Sequence, residues 1–260
     1  MRARDLARKV VDEHLRPGEM SPQAVYDRKR TAMVLTEVLE GPHATTVEVG
    51  SGYGGTSRCV SRIVSVRRAV GLDADRSLLL QSPRPGYPAD FVEANTEKGL
   101  PFKSGSVDCM IASEIYEHLY DPPNFLREAH RVLRPHGRLI LTTPNTESLV
   151  LMFLRRLPRG WARRVLTREG ERKRYLHPEF FGDVMADSVH GHRIEGASPR
   201  ELSRLASKYG FRQIVSTTWG LPFSHAFWGR LPSWIWMPIM DHLHSLDVGL
   251  RHSLVVWTKS

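Results

Sequence analysis

Glycine stands at every second position from Gly50 to Gly54, directly after the β-prone run Thr45-Thr46-Val47-Glu48-Val49. About 20 residues later a second apolar run closes on a carboxylate, in Gly71-Leu72-Asp73. Glycine lets the backbone turn tightly and approach a ligand that a Cβ would keep away. A carboxylate at the end of the next strand can accept both hydroxyls of a ribose. Together these constrain the chain to an open α/β sheet that holds a nucleoside at the carboxyl ends of its strands.

The rest of the pattern agrees. Apolar runs at 45–49, 69–73, 90–93, 107–112 and 138–143 read as strands. Helical stretches are predicted at 5–15, 22–39, 54–65, 76–81 and 122–133. In the last, Phe125, Leu126, Ala129, Val132 and Leu133 share one face, and Pro135 with Gly137 ends it. Strands alternating with helices at this spacing imply parallel pairing through right-handed crossovers. Ser198-Pro199 starts another helix that runs to Gly210, and strands at 211–218 and 252–258 close the sheet as an antiparallel pair. The expected organisation is one domain over 1–260: N-terminal helices in 1–40, a cofactor-binding core in 41–145, a lid or insertion in 146–197, and a C-terminal helix and strands in 198–260. The final part carries an aromatic insertion with Trp219, Phe223, Phe227, Trp228, Trp234 and Trp236.

Apolar residues make up 41% of 260 residues, enough for a sizeable core. The two cysteines, Cys59 and Cys109, form no metal spacing and suit a reducing cytosol. No apolar run is long enough to span a bilayer. A cytoplasmic protein is expected, with contact at the inner face of the membrane left open. Basic residues exceed acidic ones by 37 − 28 = 9. From Arg155 to Arg174 there are nine basic side chains against Glu169 and Glu171. Such a stretch draws an anionic substrate, a nucleic acid or an acidic membrane, or is simply a solvated helix face.

The glycines depart from the G-x-G-x-x-G of dinucleotide sites, and Glu48 puts negative charge where a pyrophosphate would lie. The same charge suits a phosphate-free cation with an ammonium and a sulfonium, such as S-adenosyl-L-methionine. Five ordered blocks then resemble the class I S-adenosylmethionine-dependent methyltransferases, in particular the ubiquinone-biosynthesis-like O-methyltransferase branch. They are Val47 to Gly54, Gly71-Leu72-Asp73-Ala74, Leu100-Pro101-Phe102 through Asp108, Ser113 to His118, and Val132 to Leu139. The resemblance implies a Rossmann-like sheet of order 3-2-1-4-5-7-6, strand 7 antiparallel, with a helical lid insertion. It places Glu48, Gly50, Ser51, Gly52 and Gly54 along the methionine part and the backbone turn. It gives Asp73 and Ala74 to the ribose, Asn95 and Thr96 to the adenine, and Ser113 and Glu114 to the methyl-donor end. Asn95 replaces the acid usual at its position, and a plain turn residue is the competing interpretation. Asp108 is expected to open its strand.

Glu114-Ile115-Tyr116-Glu117-His118 puts two carboxylates and an imidazole at i, i+3 and i+4, one face of a helix. Oxygen ligands with one nitrogen suit magnesium or manganese. By resemblance to the metal-dependent members, a metal would be held by Glu114, Glu117, His118 and His192, with His190 the alternate. Alternatively Glu117 and His118 brace the loop or act directly, His118 being suited to take a hydroxyl proton at neutral pH. An O-methyl product is expected either way. The anticipated acceptor is a small-molecule or lipid-linked hydroxyl on a sugar, glycan or glycolipid. A quinone-like phenol and an RNA 2′-hydroxyl come next. Trp228, Trp234 and Trp236 near Arg230 suit peripheral membrane contact, sugar stacking or a packed cap. Two other classes remain: an NAD-dependent oxidoreductase, and a non-catalytic module binding an anionic polymer or membrane.

Overall fold

The computed structural model describes residues 2–14, 22–83, 85–148, 196–219 and 252–260. Seven strands form one sheet. They are β1 (Thr45–Val49), β2 (Arg68–Asp73), β3 (Ala89–Glu93), β4 (Val107–Ser113), β5 (Leu133–Pro144), β6 (Phe211–Trp219) and β7 (His252–Lys259). Their order is β3-β2-β1-β4-β5-β7-β6. The first five pair in parallel, and β7 runs antiparallel between β5 and β6. This is the expected sheet.

Burial explains the composition of each strand. β1, β2 and β4 are covered on both faces and read as nearly unbroken apolar runs. The edge strand β3 is mostly exposed and alternates with charge. One core layer packs α1 (Ala3–His14), α2 (Pro22–Leu39) and α3 (Gly55–Val60) on the sheet through Val11, Leu35, Val38, Val60, Ile111 and Ile140. The other packs α5 (Pro122–Val132) and α6 (Pro199–Ser207) through Leu126, Val132, Met110, Leu141, Leu202 and Trp257. A short α4 (Arg76–Leu79) links β2 to β3.

Local signals set the helix ends. Asp121 accepts the Asn124 amide at 2.9 Å, with proline in the first turn of α5. That helix buries Phe125, Leu126, Ala129 and Val132, and each large side chain contributes roughly 1.5–3 kcal/mol. Ser198 and Glu201 form a reciprocal capping box on α6.

Two elements differ from expectation. α3 stops at Val60, because Arg62, Ile63 and Val66 bond three residues back and Val64 is fully exposed. β5 begins at Leu133 rather than 138: Leu133 pairs with Val107, and the register then shifts so that Arg138 faces Cys109. Gly137 lies in this bulge, where a Cβ would come within 2.9 Å of the Arg134 carbonyl. Asp108 has the structural role expected of it, accepting the Thr45 amide at 2.7 Å and pairing with Arg134. The proposed lid falls almost wholly outside the described residues, as does the aromatic insertion beyond Trp219.

Candidate functional site

The glycine turn leaves the carboxyl end of the central strand. Gly50, Gly52 and Gly54 all have positive φ, at 69°, 51° and 70°. Each is therefore in a region that L side chains enter at a cost. A Cβ on Gly50 would stand 2.7 Å from Ile115 Cδ1, and one on Gly54 would collide with the Phe91 ring. Among the described residues, a Cβ on Gly52 would meet nothing within 4 Å, so they leave open space beside the middle of the turn. Ser51 donates its amide to the Leu72 carbonyl at 2.8 Å.

Asp73 controls the turn. One carboxylate oxygen accepts the Gly52 amide at 2.7 Å and the other accepts the Asp75 amide at 2.9 Å. Each oxygen keeps a further lone pair, so a vicinal diol can still be bound. Ala74 is exposed beside it. The Ser51 hydroxyl is buried with no partner among the described residues, a polar atom aimed at no protein group.

Glu48 is 5% exposed and accepts both the amide and the hydroxyl of Ser57, at 2.7 and 2.5 Å. Burial pushes its pKa up, against the Ser57 and Thr56 hydrogen bonds and the charge of Arg30. Its carboxylate thus clamps α3 to the end of β1 as well as bordering the turn.

Asn95 caps the short 3₁₀ turn Thr96–Lys98, its side-chain oxygen accepting the Glu97 amide at 3.0 Å. The turn role is therefore filled. A cavity of about 630 Å³ opens beside it, lined by Asn95, Glu97, Leu100, Asn124 and Arg131. None of the three glycines borders that cavity, so it flanks the glycine turn rather than containing it.

At the next strand end, Ser113 bonds the Thr142 hydroxyl at 3.0 Å, and the Glu114 amide donates to the Thr142 carbonyl at 2.9 Å. Glu114 has φ 54°. For a residue with a side chain this costs about 1–2 kcal/mol, and such strain gathers at functional sites. Glu114 Oε2 lies 2.9 Å from His252 Nδ1. Burial raises the Glu114 pKa, but His252, then Arg30 and Thr142, outweigh it and hold the carboxyl below the usual range.

The helical-face expectation for Glu114, Glu117 and His118 fails. The segment is a 3₁₀ turn of Tyr116–His118, and the left-handed Glu114 lies outside it. Glu117 is 1% exposed and accepts the Thr143 hydroxyl at 3.0 Å. Among the described residues no three His, Cys, Asp or Glu side chains are placed to hold a metal. His190 and His192 lie outside the described residues. Among the described residues, the Glu114 carboxylate faces His252 and the Glu117 carboxylate accepts from Thr143. His118 ends the 3₁₀ turn half-buried, its amide bonded to the Ile115 carbonyl at 2.9 Å.

A family model for a methyltransferase domain matches residues 47–141, the span from β1 to β5 that carries every one of these strand-end groups up to Leu141. Over residues 47–141 the chain matches a methyltransferase domain, on a sheet of the class I, S-adenosylmethionine-dependent methyltransferase order. A probable S-adenosylmethionine-dependent methyltransferase of Mycobacterium tuberculosis is 34% identical over 125 residues, covering 47% of this chain and 41% of that protein. A ubiquinone biosynthesis O-methyltransferase of Pseudomonas paraeruginosa is 29% identical over 129 residues, covering 45% and 54%. The chain thus spans only about half, or less, of these curated relatives. An S-adenosylmethionine-dependent methyltransferase of Mesorhizobium loti shares the fold with a TM-score of 0.58, at 16% identity over 92% of this chain and 100% of that one.

Beyond the matched span, three residues form one row across the sheet's carboxyl rim: Pro144 on β5, His252 on β7 and Trp219 on β6. The Trp219 and His252 rings are 5.1 Å apart. Ala197 donates its amide to the Pro144 carbonyl at 3.0 Å, and the Thr146 hydroxyl reaches Glu201 at 3.1 Å. His252 and Arg30 are the site residues that sequence reasoning missed. Arg30 is one of three consecutive cations, Arg28-Lys29-Arg30, in a helix, and His252 merely opens an apolar strand. Neither has a local motif to mark it.

Proposed function

We propose that the chain is a methyltransferase that moves the methyl group of S-adenosylmethionine onto a hydroxyl of a sugar, glycan or glycolipid. The observation that carries the donor side is the Asp73 hook on Gly52, beside open space in a turn of left-handed glycines. A nucleoside cation fits there: Asp73 keeps acceptor capacity for a diol, Ser51 offers an unpartnered hydroxyl, and Glu48 adds negative charge. When bound, S-adenosylmethionine supplies an electrophilic methyl on sulfur. The domain's own residues orient the two reactants and keep them aligned, which is the larger part of such catalysis. The acceptor hydroxyl sheds its proton as the new C–O bond forms, and His118 is the group proposed to take it.

The acceptor assignment draws on sequence as well. The basic stretch from Arg155 to Arg174 and the tryptophans at 228, 234 and 236 support it by residue type, and both lie outside the described residues. Arginine and tryptophan together suit sugars and anionic headgroups. Peripheral contact with the inner face of the membrane, from the cytoplasm, is part of this proposal. Among the described residues no helix is long and apolar enough to cross a membrane. Assistance by magnesium or manganese through Glu114, Glu117, His118 and His192 stays part of the proposal, with Glu114 paired to His252 and Glu117 to Thr143. A quinone-like phenol is the second acceptor, favoured by the match to a ubiquinone biosynthesis O-methyltransferase.

Labelled methyl transfer tests the proposal, using soluble glycans, a total bacterial lipid extract, catechol and a ribo-oligonucleotide as acceptors. Label in the lipid or glycan fraction supports it. Label only in catechol or RNA moves the acceptor to that class. Calorimetric binding of NAD(H), with none of S-adenosylhomocysteine, removes the donor assignment.

A further inference from the structure

We propose that Arg58 and Ser82 are positioning residues for the methyl donor: they hold the carbonyls of Gly52 and Tyr53, so that the turn keeps the shape that receives it. The proposal rests on the methyltransferase reading above and deepens it, naming two side chains besides the glycines and Asp73 that set donor affinity.

The turn is held group by group. The Gly52 amide goes to the Asp73 carboxylate at 2.7 Å. The Gly52 carbonyl accepts the Ser82 hydroxyl at 3.1 Å. The next carbonyl, of Tyr53, accepts from the Arg58 guanidinium. The Gly54 amide closes the turn on the Ser51 carbonyl at 2.8 Å. Side chains from β2, from α3 and from the stretch after α4 thus fix peptide groups that left-handed glycines alone would leave loose. What they shape is a surface turn, with Tyr53 exposed.

Arg58 also ties these segments to one another. The nitrogen that reaches Tyr53 donates to the Ser82 carbonyl at 2.6 Å. Arg58 therefore places Ser82, and the Ser82 hydroxyl, which also reaches the Leu78 carbonyl at 3.0 Å, places Gly52. The other terminal nitrogen of Arg58 stands 3.4 Å from Nε2 of His14, the last residue of α1. Packing leaves little slack. Ser82 is fully buried, Arg58 is buried, and a Cβ on Gly54 would come within 3.1 Å of Ser82 Cβ.

Helix chemistry does not account for Arg58. Helical side chains lean toward the N-terminus, so Arg58 reaches back over the turn that feeds its own helix. A cation there opposes the helix dipole. Burying a guanidinium is costly unless its donors are engaged. The two hydrogens of one guanidinium nitrogen point in fixed directions, so the carbonyls they reach are held at a set separation.

The test uses the full chain with Arg58→Met, Arg58→Lys and Ser82→Ala. The last deletes only the hydroxyl and leaves the carbonyl that Arg58 holds. Urea unfolding reports stability, and calorimetry reports S-adenosylhomocysteine affinity in the folded protein. Labelled transfer to the acceptor fraction that the wild type labels separates the donor KM from kcat. The dissociation constant is expected to rise roughly tenfold in Arg58→Met and at least about threefold in Ser82→Ala. Arg58→Lys should lie between wild type and Arg58→Met. Donor KM should rise in step, with kcat at saturating donor within about threefold of wild type. A role in the fold alone would lower stability in all three while the dissociation constants stay within about threefold, and that result overturns the proposal. So does a larger fall in kcat with donor affinity unchanged. Should Arg58→Met not fold, Arg58→Lys and Ser82→Ala decide by the same readings. If S-adenosylhomocysteine fails to bind the wild type, the methyltransferase reading fails instead.

Discussion

Gly52 donates its amide to the Asp73 carboxylate across 2.7 Å, so the turn after β1 is shaped by the residue that ends β2. Asp73 holds the turn, and in the proposed function it also accepts a diol. Asp73→Ala removes both. Hydrogen bonds to a charged group are worth about 1.5–3 kcal/mol. S-adenosylhomocysteine affinity measured by calorimetry is expected to fall roughly 10- to 100-fold. Wild-type affinity in that variant would contradict the assignment.

Two glycines of the same turn should separate stability from binding. Gly54→Ala combines positive φ with a collision against Phe91. A loss of about 2–4 kcal/mol in urea unfolding is expected. Among the described residues Gly52→Ala meets no atom within 4 Å, so it carries only the backbone penalty of about 1–2 kcal/mol. Its Cβ projects into the open space assigned to the ligand, so it should lose affinity at least tenfold. Equal affinity losses, with Gly52→Ala the less stable protein, would refute this division.

His43 gives the fold an acid sensitivity far from the site. Both ring nitrogens are buried without partners among the described residues, and the residue is 4% exposed. Burial, and then Arg138, lower its pKa from 6.5 to about 4, against the pull of Asp108. Between those values the unfolded chain binds the extra proton and the folded one does not. Stability therefore rises with pH through this window and is lost as pH falls from 6.5 towards 4. One proton contributes at most about 1.4 kcal/mol per pH unit. Unfolding free energies measured from pH 4 to 7 should show this slope, and His43→Phe should flatten it.

Chelation checks the metal question. Glu114 is engaged by His252 and Glu117 by Thr143. Methyl transfer is expected to fall after EDTA treatment and to be restored by magnesium or manganese, which would show that the carboxylates rearrange to bind an ion. A rate within about twofold of the untreated one would remove the metal from the proposal.

Much of the fold was legible because its signals are local. The apolar runs ending at Val49, Asp73 and Ser113 needed only period and punctuation, and Ser198-Pro199 with Glu201 spelled out a helix start. The donor side was legible for the same reason: Gly50, Gly52, Gly54 and Asp73 sit at spacings the backbone itself demands. The Glu114 to His118 run misled because i, i+3 and i+4 share a face only in a helix. The chain instead leaves β4 through a left-handed residue.

Sequence alone determined the strands, the glycine turn and the carboxylate that ends β2, since each follows from short-range geometry and residue type, while the strand order came from the family resemblance. Only the tertiary structure decided what the carboxylates do. It brought His252 from the last strand and Arg30 from an early helix to Glu114, spent Glu117 on Thr143 and Asn95 on a turn. Those pairings join residues far apart in the chain, where sheet register and desolvation set the partner and no spacing rule reaches.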